Sequence, residues 1–571
     1  MLAVSLLSLI RLLLTILKHG AKLSAATGLV VAVACGDRTV SAGSVRGGAI
    51  IVAVTQDPQN LFPPTTDRSV AKAVTELVFD KLADLGPDLN TLGDAGFQPR
   101  LASSWEWSQD SLAVTFHLNP RARWQDGPPV RASDVRFALA VYTDTLVGSR
   151  SGADLRTRID SISVSDSLTC TAWFKERTPE NFYNLVIILI PLPEHLLGRA
   201  PHDSLAMSTF ARFPVGNGPY RFVRWEPEQR VEIAASASYY RGRPNLDRVI
   251  WTIAPSMSSV VRQLLAGGVD FFEELPPENL PAAARNRDLR LMSRTNYNYG
   301  FLQFNLRDHA LDRPHPLFSE RELRRALTRA LDRPTLVRSV FDSLGSVARG
   351  PFVRAQWASD STMVQLRFDR TAAARTLDSL GWRLGAGGLR SRRGRPLAFT
   401  LLVPTGSANR MRAAPIVQEQ LRQVGIKVEL ELLDDNAFIA RRKSRQFDAI
   451  LQSLSTSPSP SGIRQTWTTS AAREGGFNDG KYENSVFDAL VDSALAAGDM
   501  HTARAQYRAA YQIILDDAPA IWLYEPRPMA AIRRRLHTGA LRGDAWWAGL
   551  PAWSIASGDL PAHDTASAKA P

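Results

Sequence analysis

The 571-residue chain is too long for one hydrophobic core; at about 100–200 residues per domain it divides into two to four. Its composition, 44% hydrophobic and 22% charged, is globular and excludes a disordered, collagenous or polytopic membrane chain. The excess of 68 Lys+Arg over 56 Asp+Glu is spread along the sequence without a basic tail or a nucleic-acid motif, so it argues solubility and no nucleic-acid partner.

Two apolar runs open the chain, Met1 to Leu17 and Leu23 to Ala34, divided by Lys18-His19-Gly20-Ala21-Lys22. Each falls short of the ~18 to 20 apolar residues of a membrane-spanning helix. The second ends Ala32-Val33-Ala34-Cys35-Gly36 and resembles a lipoprotein signal peptide, with Ala32 where that pattern places Leu. The resemblance implies removal of 1–34, lipid on Cys35 and a linker over 35–46; a plain signal peptide cut near Ala34 is the alternative. Either exports the protein, to the periplasm or the cell surface. The one other cysteine is Cys170, in a strand-like apolar segment, so no disulfide and no cysteine metal site are expected.

A first strand is predicted at Ala49-Ile-Ile-Val-Ala-Val, ended by the turn chemistry of Asp57-Pro58 and Pro63-Pro64. Leu112, Val114, Phe116 and Leu118 alternate as a second strand, preceded by Trp105 and Trp107. Ser133-Asp134 opens a helix with Val135, Leu139 and Tyr142 on one face. Strands follow from Arg221 to Ile253. A helical stripe then runs through Leu323, Ala326, Leu327 and Ala330, and Asp332-Arg-Pro334 starts the next helix. Leu397 to Val403 alternate as a strand, Val417, Leu421 and Val424 as a helix, and Ile426 to Leu432 as another strand. This order predicts an α/β chain of mixed sheets layered with helices. The tail 561–571, rich in Ala and Ser, is expected to fray.

Catalytic signatures are missing. The 9 histidines are scattered without a His-Glu-x-x-His, and there is no P-loop, dinucleotide fingerprint or nucleophile elbow. Neither a catalytic residue nor a metal site nor a cofactor is expected. The carboxylate pairs Glu273-Glu274 and Asp516-Asp517 read as solvated faces.

One long ordered pattern is present. Leu101-Ala-x-Ser-Trp105, Thr115-Phe-His-Leu118, Trp124-x-Asp126-Gly127-x-Pro129 and Ala132-x-Asp134-Val135-x-Phe137 resemble the shared segment of oligopeptide, dipeptide and nickel-type solute-binding proteins of ABC importers. Pro193-Glu-His195, Pro214-Val-Gly-Asn-Gly-Pro-Tyr220, Asn305, Arg324-x-Ala326-Leu327, Val424-Gly-Ile426, Phe447-Asp448 and Asp517-x-Pro519 continue the pattern in order, over about residues 47 to 555. The resemblance implies a two-lobed periplasmic-binding-protein clamshell with an extra inserted domain. One lobe would take 47–78, 205–300 and 528–560, the inserted domain 79–204, and the other lobe 301–527.

Such a protein would be a monomer that captures a short peptide or another small polar solute by hinge closure and delivers it to membrane permease subunits. The rival readings are a secreted or surface peptide-sensing or chaperone-like binder without a permease, and an enzyme on the same scaffold. The resemblance places ligand contacts at Tyr299, Phe301, Leu454, Ser455 and Ser457. Peptide-binding members carry Trp-x-x-Asp just after the Phe-Asp pair, the carboxylate gripping the peptide ammonium. Counted from Phe447, those positions hold Leu454 and Ser457, so the anchoring carboxylate is missing from that stretch, with Asp434 or Asp435 the substitutes.

Overall fold

The computed structural model describes residues 44–556 apart from 46, 67, 309–312 and 474–475. The expected signal peptide over 1–34, Cys35 and the 561–571 tail lie outside the described residues. Ser44–Val45, expected within a linker, instead pairs antiparallel with Ser554–Ala556 at the far end of the chain.

Three main sheets organise the described chain. A seven-stranded mixed sheet runs in the order Leu289–Ser293, Met529–Arg533, Phe271–Phe272, Ala49–Val54, Arg248–Ile253, Arg230–Ala235 and Tyr220–Glu226. The strand Ala49–Val54 lies parallel to Arg248–Ile253 and Phe271–Phe272; the remaining pairings are antiparallel. An antiparallel four-stranded sheet takes Ala102–Trp107, Ala113–Leu118, Thr169–Phe174 and Ile159–Val164. A six-stranded mixed sheet takes Gly345–Ser346, Ala520–Pro526, Asn298–Phe304, Ala449–Ser455, Ala398–Pro404 and Lys427–Leu433.

The seven- and four-stranded sheets share one apolar core, in which Ile50, Trp251 and Trp553 belong to the same cluster as Phe116, Trp124 and Phe182. The six-stranded sheet has a core on each face, because alternate residues of a strand point to opposite sides. Leu302 and Phe304 enter one, with Leu327 and Leu401. Tyr299 and Phe301 enter the other, with Trp467 and Trp522.

The residues of the ordered motif turn out to be scaffold with specific partners. Asp134 is buried; its carboxylate accepts from the Trp124 indole at 3.0 Å and from the backbone N–H of Arg131 at 2.8 Å, which caps the helix Ala132–Thr143. It also accepts from the Glu194 N–H, pulling the distant turn onto the helix start, and His195 reaches Asp126 at 2.8 Å. Burial pushes the Asp134 carboxyl above its ordinary value despite these donors. Asn217 accepts from the N–H of Asp80, and Asn305 donates to the carbonyls of Arg445 and Phe447. Asp517 is likewise no solvated acid: it accepts from Tyr482 at 2.7 Å and Asn484 at 2.8 Å and pairs with Arg321.

Cys170 is buried in the middle of the four-stranded sheet, opposite Phe116 on one side and Val164 on the other. Burial alone pushes its thiol up to about 12.

The glycines of the motif serve two ends. Gly127 has φ +118°, as its turn requires. Gly216 has an ordinary backbone conformation and is required by close approach: a Cβ there would stand 1.9 Å from the carbonyl oxygen of Val78. Gly216→Ala is therefore expected to lower stability by about 1–3 kcal/mol, the usual range for overpacking, read from the urea midpoint. An unchanged midpoint would mean that the Val78 backbone yields freely.

Candidate ligand-binding site

The chain passes between the seven-stranded and six-stranded units at two neighbouring places, near 294–297 and 527–528. The crossings are tied together, the Asn296 amide donating to the Pro526 carbonyl at 3.0 Å and the Arg294 N–H to the Pro528 carbonyl at 3.0 Å. Beside them lies a cavity of about 260 Å³ with walls from both units. The helix Ser69–Val78 supplies Lys72 and Glu76, the inserted segment Tyr183, the crossing Arg294 and Tyr297, the loop after Ala449–Ser455 supplies Ser455, Thr456 and Ser457, and the C-terminal segment Arg542, Asp544 and Trp547.

The amphipathic pattern of Ser69–Val78 explains its part. Val70, Ala71, Ala73, Val74, Leu77 and Val78 are buried, and this leaves the polar side with Lys72 and Glu76 for the cavity.

Charge in the walls is already matched. Glu76 lies 3.0 Å from Lys81 and 3.9 Å from Lys72, and it accepts from the Trp547 indole at 2.9 Å. Burial alone would raise its pKa, but the two ammonium groups outweigh burial and hold it at about 2. Asp84 is part-buried against a cation: desolvation raises its carboxyl, but the Arg100 guanidinium, 2.6 Å away, outweighs it and lowers the pKa. Asp544 takes both oxygens to Arg542, at 3.0 and 2.6 Å. Arg294 reaches the Gly543 carbonyl at 3.1 Å and lies 3.8 Å from Glu273, so Glu273 is a partly enclosed member of the site's surround and not the solvated acid expected. Its carboxyl is raised, chiefly by burial, with Glu274 adding repulsion against the pull of Arg294. The Arg294 Nε and the Tyr297 hydroxyl are buried without a hydrogen-bond partner.

The predicted contacts divide. Ser455 and Ser457 line the cavity; Leu454 packs half-buried against the aromatic core of the six-stranded unit. Tyr299 and Phe301 are buried inside that core and have no surface toward the cavity, because the strand's alternation turns them to the sheet face that helices cover. Asp434 and Asp435 stand exposed at the start of the helix Asp435–Lys443, with Asp434 spent as its N-cap, and neither lines the cavity. Lys72, Glu76, Arg294, Arg542 and Trp547 went unread in the sequence. They come from three distant segments, with no spacing that links them.

The chain matches known proteins in sequence and in fold. The description of bacterial extracellular solute-binding proteins, family 5 (middle part), matches residues 96–475. The chain belongs to this family. It is thus a solute-binding protein and not an enzyme. Among curated relatives, the oligopeptide-binding protein AppA of Bacillus subtilis is 28% identical over 504 residues, covering 86% of this chain and 88% of that protein. The probable D,D-dipeptide-binding periplasmic protein DdpA of Escherichia coli is 25% identical, with 87% and 92% covered. Among solved structures, that of the Bacillus subtilis AppA in complex with a nonapeptide superposes with a TM-score of 0.73 at 25% identity, over 90% of this chain and all of that one. NikZ from Campylobacter jejuni in complex with Ni(L-His) gives 0.73 at 22% identity, over 89% and 99%.

The depressed pKa of Glu76 fixes the sign of an acid response in this family member. A carboxylate lowered from 4.5 to about 2 contributes stability that is complete above pH 4.5 and is lost as pH falls toward 2. Glu76→Gln is expected to flatten the acid limb of a stability–pH curve measured by urea unfolding. An acid limb identical to that of the unaltered protein would remove Glu76 from the balance.

Proposed function

We propose that this solute-binding protein is exported, anchored by lipid on Cys35, and captures a short peptide or similar small polar solute in the cavity between its two units for delivery to an ABC-type permease. The observation that carries the reading is a cavity walled from both sides of a two-crossing hinge, the arrangement that closing around a ligand requires. The names of the relatives support a peptide cargo. The division into lobes at 47–78, 205–300 and 528–560, at 79–204 and at 301–527 is supported by the strand membership of the sheets. That membership moves the crossing a few residues earlier, because Asn298–Phe304 already belongs to the six-stranded sheet.

The cavity's chemistry bears on how a peptide end is read. Ser457 offers a hydroxyl where a carboxylate is expected, and Glu76, Asp84 and Asp544 already accept from cations. An incoming ammonium would have to displace one of them, forgoing a charge-assisted bond worth roughly 1.5–3 kcal/mol.

Two measurements test the proposal. N-acetylated and free forms of one peptide should bind within about tenfold of each other by calorimetry, tenfold being ~1.4 kcal/mol, and Ser457→Asp should shift preference toward the free amine. Rejection of the acetylated form by a hundredfold or more would mean that another carboxylate grips the ammonium. Cys35→Ser should move the protein from the membrane fraction to the soluble one, since two acyl chains give stable anchoring; unchanged fractionation would end the lipoprotein reading.

A further inference from the structure

Away from the hinge, the six-stranded unit meets the inserted segment through a buried carboxylate. Glu180 caps the start of the helix Asn181–Ile188 and is 5% exposed. One of its oxygens accepts from the Thr91 hydroxyl at 2.6 Å, the other from the Ser459 hydroxyl at 2.7 Å. Both hydroxyls lead into the six-stranded unit. Thr91, itself fully buried, accepts from the Trp357 indole at 3.1 Å. Ser459 accepts from the N–H of Ser461 at 3.1 Å, and the Gln356 amide donates to the carbonyls of Ser457 and Ser459 at 2.9 and 3.0 Å. The loop so held is the one that brings Thr456, Ser457 and Pro458 to the cavity wall.

Among the described residues Glu180 makes no ion pair, and the side chains that donate to its carboxyl, Thr91 and Ser459, are neutral hydroxyls. An ionised carboxylate only accepts, so each oxygen enclosed by closure must find a donor or bear the cost of lost water. Opening the cleft would return that water; closing exchanges it for the hydroxyl of Ser459 and the chain from Trp357 through Thr91. Such an exchange is close to balanced, and this suits a contact that forms and breaks in use.

We propose that Glu180 is a positioning residue for the ligand site: its carboxylate latches the 456–461 loop onto the inserted segment and so sets how far the two units close. The latch depends on the hydroxyl of Ser459 and the indole N–H of Trp357 as its movable half. It rests on the closing of the two units proposed above, and the unliganded protein tests it, so failure of a peptide to bind leaves it standing or falling on its own result.

The test is small-angle scattering of the unliganded full chain together with hydrogen exchange of residues 456–461. Ser459→Ala and Trp357→Phe should each raise the radius of gyration and speed exchange of the loop at least tenfold, with the urea midpoint unchanged. Ser459→Thr, which keeps the hydroxyl, should behave as the unaltered protein. Unchanged scattering and exchange in both variants would overturn the latch. So would faster exchange accompanied by a fall in the urea midpoint, because that is the mark of a merely structural contact.

Discussion

The arrangement rests on one covalent constraint: among the described residues the chain crosses between its two sheet-built units near 294–297 and 527–528, side by side and hydrogen-bonded to each other. Two adjacent strands can bend together as a hinge while the sheets they join stay rigid. The inserted four-stranded segment is joined to the seven-stranded unit by the chain on both of its sides and shares a continuous apolar core with that sheet, so burial and covalent continuity together bind the two. Packing of this kind moves as one body. Among the described residues the chain does not pass directly between the inserted segment and the six-stranded unit, so the two meet through noncovalent contacts.

Electrostatics in the cavity follow from burial. Carboxylates taken out of water on this scale need cations, and Glu76, Asp84 and Asp544 have them in Lys81, Arg100 and Arg542. The site is therefore polar without presenting a free charge of either sign at full strength, and hydroxyls and amides from Ser455, Thr456, Ser457, Asn296 and Asn298 share its lining. A lining of this sort contacts backbone-like groups readily and makes weaker demands on any one side chain.

The scaffold was legible because its signals are local. Trp124, Asp126 and Asp134 lie within one short motif, and the partners they find, down to His195, sit in the next motif along. Tyr299 and Phe301 came from the resemblance; they do share one face of their strand, but a position in a family pattern does not tell a face covered by helices from a face open to a cleft. The cavity itself was hardly legible. Ser457 was reached by counting from Phe447, whereas Glu76, Arg294 and Trp547 meet only after the chain has folded back across about 470 residues, and no spacing rule joins them. The motif showed that a glycine stands at 216 but not why, because the closeness of the Val78 backbone exists only in the folded chain.

Cys170 has a consequence for how the chain reaches this state. In the unfolded chain its thiol ionises near the ordinary ~8.5 and is open to oxidants and to mixed disulfides. In the fold it lies between neighbouring strands with its pKa pushed up to about 12, and at neutral pH almost no thiolate remains to react. Closing the four-stranded sheet thus doubles as chemical protection in an oxidising compartment, and the interval of vulnerability is the time the sheet takes to form. Oxidation of Cys170 is therefore a matter of folding kinetics.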